Sequence, residues 1–134
     1  MDAASALADL TEISSQVDAA VLLDEGGAVL ASTLEDDARS ERIARTAVEL
    51  LHAADERLGR EGRSILRLEA SLREGSVFAV REAGRSIVAT TSPSPTSGLV
   101  LYDLKACLRS LEQAEEPAKP QPRRKAEKQE TADA

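Results

Sequence analysis

EDDARSERIARTAVELLHAADERLG, residues 35–59, reads as one long helix. At 100° per residue, Ile43, Ala44, Ala47, Val48, Leu50, Leu51, Ala54 and Leu58 gather over an arc of roughly 160°, wider than the ~100° a helix needs to sit on one core. Asp36 and Asp37 stand where the positive end of the helix dipole favours carboxylates. Gly59 follows Leu58, where a left-handed cap usually takes glycine. About 23 helical residues span roughly 35 Å. Such a helix can lie on a sheet with part of its arc and keep an apolar strip for a second partner.

Before it come a short helix over Asp2–Ser15, with Ala6, Leu7, Leu10 and Ile13 at helical spacing, and two β-type runs. Val17–Leu23 and Ala28–Thr33 flank Asp24-Glu25-Gly26-Gly27, the pattern of a hairpin. After it come three short strands, each ended by a turn: Ser64–Leu72, Ser76–Arg81 and Arg85–Thr91. The prolines of Ser92-Pro93-Ser94-Pro95 forbid a continuing ladder. Ser97 is placed to cap a last helix carrying Leu99, Val100, Leu104, Cys107, Leu108 and Leu111.

Val17, Ala19, Val21 and Leu23 alternate with Ala20 and Leu22, and Val77 and Ala79 with Phe78 and Val80. A sheet apolar on both faces must be covered on both. The expected fold is therefore α+β, a three-layer α/β/α sandwich around a five-stranded antiparallel sheet in the order α-β-β-α-β-β-β-α. Residues 1–113 form the domain. Residues 114–134, rich in Pro, Lys and Glu, have the composition of a disordered tail.

The last 21 residues hold 5 basic and 5 acidic groups, so the first 113 carry the whole net charge of −7, with 12 basic against 19 acidic. Such a domain repels a phosphate backbone, which excludes nucleic acid, and favours a protein with a basic face. No stretch reaches the ~20 apolar residues of a membrane span, and the start of the chain lacks a signal-peptide pattern. The single cysteine, Cys107, cannot form an internal disulfide, which fits a reducing cytoplasm. Phe78 and Tyr102 are the only aromatics, so the core must be aliphatic.

The pieces resemble the Roadblock/LC7 family, whose fold is related to profilin. Ala19–Ser32 (AAVLLDEGGAVLAS) is similar to the family's first hairpin, and Leu58-Gly59-Arg60-Glu61-Gly62 to the exit from its long helix. Ile87-Val88-Ala89-Thr90-Thr91 is similar to its last strand, and Ser97-Gly98-Leu99-Val100 to the start of its final helix. The resemblance covers about residues 5–113. It departs at Gln16-Val17-Asp18, where the family often has Gly-Val, and in the tail, which has no family counterpart.

The resemblance implies a non-enzymatic protein without cofactor. It implies a homodimer joined through the long helix and the strand after it, serving as a platform or regulator for a small Ras-like GTPase, or as an adaptor without one. Together with the wide apolar arc, it places self-association on Ile43, Ala47, Leu50, Leu51 and Ala54, with Ile65, Leu66, Arg67 and Leu68 on the edge strand. A small-molecule sensor is the alternative from another class, although the aliphatic core offers few polar groups to line a pocket.

The remaining motifs read as structure. His52 is the only histidine and has no second ligand near it, so a helix-surface or interface role is expected rather than a metal site. Cys107 falls on the inner face of the last helix, where a buried thiol behaves as a small apolar group. Gly26-Gly27 and Gly59–Gly62 lack the lysine of a phosphate-binding loop, and Lys105 is the only lysine before the tail. Asp36, Asp37, Glu41, Asp55 and Glu56 read as helix-end or solvated carboxylates, and Asp24 and Glu25 as turn residues. In the tail, Pro117-Ala118-Lys119-Pro120 has the P-x-x-P spacing of a groove ligand and Arg123-Arg124-Lys125 is a basic cluster. Both arise easily by chance in such a composition.

Overall fold

The computed structural model describes residues 2–58 and 66–114, with side chains of the last helix up to Leu111. The elements are α1 (Ala3–Ile13), β1 (Val17–Leu23), β2 (Val29–Ser32), α2 (Asp37–Leu58), β3 (Arg67–Ser71), β4 (Ser76–Glu82), β5 (Arg85–Thr91) and α3 (Ser97–Ala114). The strands form one antiparallel sheet in the order β2-β1-β5-β4-β3. This is the expected α-β-β-α-β-β-β-α sandwich.

Alternation along the strands sends each residue to one of two cores. Ala20 and Leu22 of β1, Phe78 and Val80 of β4, and Ile87 and Ala89 of β5 pack against α1 and α3. Phe78, the largest side chain there, is completely buried. Val21 and Leu23, Ala79 and Val88 point the other way and pack under Ala44, Ala47 and Leu51 of α2. The alanines of α2 let its backbone approach the sheet closely, and each large aliphatic chain buried beneath contributes on the order of 2 kcal/mol.

Local chemistry sets the element ends. The Asp2 carboxylate caps α1, accepting from the Ser5 N–H at 2.8 Å, and this bond holds its carboxyl below the ordinary value of 3.8. Asp36 does the same for α2, accepting from the Arg39 N–H at 3.2 Å. The Ala83-Gly84 corner between β4 and β5 has φ of 55° and 80°, the left-handed pair of a tight hairpin turn.

Three expectations change. Val17 packs with the α1–α3 cluster rather than beside Val21, because the β1–β5 register slips between Val17 and Ala19 and the extra residue turns it over. Ser97 is the first residue of α3 rather than its cap; its hydroxyl donates to Glu69 Oε2 at 2.6 Å, and the Val100 N–H bonds the Thr96 carbonyl instead. Ala114, read as the start of the tail, is the last residue of α3. The glycine exit from α2 at Gly59, the edge-strand residues Ser64 and Ile65, and the tail from 115 onward lie outside the described residues.

Candidate protein–protein interface

Strands spaced ~4.8 Å apart make a five-stranded sheet about twice as wide as one helix, which is ~10 Å across. Two helices, α1 and α3, share one face. The other face has only α2, which leans toward β1 and β2, and the result is an uncovered trough. Ile43, Ala47 and Leu50 of α2 form one wall, and Val77, Ala79, Val88 and Thr90 of β4 and β5 form the floor, around a volume of about 330 Å³. Arg42 and Thr46 supply the polar margin on the helix.

The self-association residues chosen from sequence divide by depth. Leu51 is 3 % exposed and is spent in the domain's own core, with Ala47 (6 %) at the base of the trough. Leu50 is 45 % exposed, and Ile43 and Ala54 are half-buried beside it. These three form the outward strip that the 160° arc implied. Val48, on the opposite flank of α2, leans over Gly27, so that part of the arc is spent on the β1–β2 turn.

On the edge strand, Leu68 pairs with Ala79 and joins the α2-side cluster, whereas Arg67 pairs with Val80 and points to the α3 side. A strand added to this edge would therefore meet Arg67 through its backbone. Leu66 is 64 % exposed, and its carbonyl accepts from the Arg81 N–H at 2.7 Å, extending the pairing with β4. The outer edge of β3 faces no strand among the described residues, which is the hazard a second chain removes.

The residues chosen from sequence include none of the floor, Val77, Ala79, Val88 and Thr90, because which strands α2 leaves bare depends on its lateral position. An ion pair joins α2 to β4: Arg81 of β4 holds Asp55 of α2 through two contacts of 2.8 and 2.9 Å.

His52 lies on the solvent side of α2, with Nε2 3.8 Å from Glu56 one turn on. Cys107 is buried, its thiol reaching the Ala6 carbonyl at 3.5 Å, and burial pushes it from an ordinary 9.0 to about 11. Among the described residues, no three His, Cys, Asp or Glu side chains gather as a metal site requires, and no helix is long and apolar enough to cross a membrane.

No protein-family profile and no curated protein matches the chain. Solved structures do. A Roadblock/LC7 domain from Streptomyces avermitilis superposes with a TM-score of 0.74 at 18 % identity, covering 87 % of this chain and 99 % of that one. The gliding protein MglB of Thermus thermophilus gives 0.68 at 17 % identity, over 85 % and 89 % of the two chains. MglB of Myxococcus xanthus gives 0.65 at 13 %, over 90 % of each. At these identities the likeness is one of fold: the domain has the Roadblock/LC7 fold over most of its length.

Proposed function

We propose that the chain forms a homodimer through the trough beside α2 and the neighbouring open edge of β3, and that the dimer binds a small Ras-like GTPase, regulating it or holding it in position. The observation that carries this is the trough itself: an apolar wall on α2 with Leu50 outermost, an apolar floor on β4 and β5, and an open strand edge alongside. A second copy supplies both missing parts, a helix for the floor and a strand for the edge. The Roadblock/LC7 resemblance implies the same geometry, two sheets joined into one across the dimer.

In this reading the protein is a non-catalytic platform in a reducing cytoplasm, and any effect on GTP passes through its partner. The excess of acidic over basic groups in residues 1–113 favours a partner with a basic face. Retention of the partner's nucleotide state, or acceleration of its hydrolysis, would follow from which switch conformation fits the dimer better.

A pull-down from native lysate tests the partner, using the purified chain with and without a non-hydrolysable GTP analogue and mass spectrometry of what is retained. A small GTPase held mainly with the analogue is the expected result. Proteins captured with no nucleotide dependence would favour the adaptor, and an empty bait with a co-purified metabolite the sensor.

A further inference from the structure

We propose that a second trough, on the opposite side of the sheet between α3 and β3, docks an acidic, extended segment of a partner protein. The α1–α3 cluster draws on β1, β4 and β5 but on no residue of β3, so α3 stops one strand short of the edge. The gap has a volume of about 460 Å³ and is bounded by Arg67, Gly98, Leu101, Tyr102, Lys105 and Arg109.

Its charge runs against the rest of the domain. Lys105 and Arg109, one turn apart on α3, face Arg67 across the gap, in a domain whose 19 acidic groups outnumber 12 basic ones. Two carboxylates lie near: Glu82 accepts from Arg109 Nε at 2.8 Å and fixes that side chain on the α3 wall, while Glu69 accepts the Ser97 hydroxyl at 2.6 Å. Arg67 and Lys105 make no salt bridge within the described residues. Tyr102, the chain's only tyrosine, stands 70 % exposed on the same wall beside the half-buried Leu101. Three cations beside an aromatic and an aliphatic group suit a strand-like segment with carboxylates on one side and apolar residues on the other.

An anionic membrane presents the same chemistry on a flat surface, and would feel the whole domain's −7 as well as the trough. A single peptide strand enters the recess and meets mainly its lining. That difference favours the peptide.

The test uses the full ¹⁵N-labelled chain and an acetylated, amidated octapeptide of alternating glutamate and leucine, with an alternating lysine and leucine peptide as control. The amides of Leu101, Tyr102 and Lys105 should shift on titration with the glutamate peptide alone. Lys105→Glu should weaken binding about tenfold and Tyr102→Ala by several-fold, and added salt should weaken it further. Circular dichroism and sedimentation should be unchanged in both variants, since neither residue touches the α2 trough; loss of the dimer and loss of this site are thus separate results. Equal affinity in Lys105→Glu, shifts confined to other regions, or equal binding of the lysine peptide would overturn the assignment. So would Lys105-dependent co-sedimentation with vesicles of equal parts phosphatidylcholine and phosphatidylserine in the absence of peptide binding.

Discussion

Arg81 grips both carboxylate oxygens of Asp55, at 2.8 and 2.9 Å, and so ties the end of β4 to the last turns of α2. Both side chains are about three-quarters buried, at 25 and 27 % exposure. The pair is a charged clamp between α2 and the strands it leaves uncovered. Asp55→Ala should cost about 1–2 kcal/mol in urea unfolding, and a double-mutant cycle with Arg81→Ala should give a coupling of about 1 kcal/mol. Additive single effects would show that the clamp is idle.

Gly75, in the turn from β3 to β4, lies against the backbone of β5: a Cβ there would overlap the Thr91 carbonyl oxygen. That oxygen belongs to a ladder residue and cannot swing aside like a side chain. Gly75→Ala should therefore destabilise by about 2–4 kcal/mol, read as a lower urea midpoint with unchanged slope.

Ala83 holds a left-handed φ of 55° that an L residue with a plain Cβ adopts at a cost. Gly84 beside it, at 80°, is already the preferred residue. Ala83→Asn or Ala83→Gly should stabilise the hairpin, by about 0.5–1 kcal/mol, and raise the thermal midpoint.

The Cys107 thiol ionises near 11 when folded, against an ordinary 9.0. The folded state thus keeps a proton that the unfolded chain gives up. This group's contribution to stability is complete below about pH 9 and is lost as pH rises toward 11. Cys107→Ala should flatten that part of the stability profile. A disulfide reagent at pH 8 should label the thiol only as fast as the domain opens.

The architecture was legible because both periodicities in the chain are clean. Val21 and Leu23 against Ala20 and Leu22, repeated at Val77–Val80, demanded cover on both sheet faces, and three helices were there to give it. The outward strip of α2 was legible for the same reason, from an arc too wide for one contact. What escaped depended on lateral position. The slip at Val17 is a pairing irregularity that no alternation records. Leu51 and Leu50 are equivalent neighbours in sequence, and only the tilt of α2 toward β1 decides which is buried. The basic trough unites Arg67 with Lys105 and Arg109, about forty residues apart, through a helix stopping one strand short of an edge. Arg81 and Asp55 likewise meet only because the sheet brings the end of β4 up to the last turns of α2.

Sedimentation velocity of the wild-type chain beside Leu50→Arg decides whether the face of α2 holds a second copy. Leu50 is nearly half exposed, so the arginine is tolerated by the folded monomer. In a dimer it buries an unpaired charge at the centre of the helix contact. The wild type should sediment as a dimer and the variant as a monomer with unchanged circular dichroism. A wild type that sediments as a monomer, or a variant that sediments as an undiminished dimer, would contradict this interface.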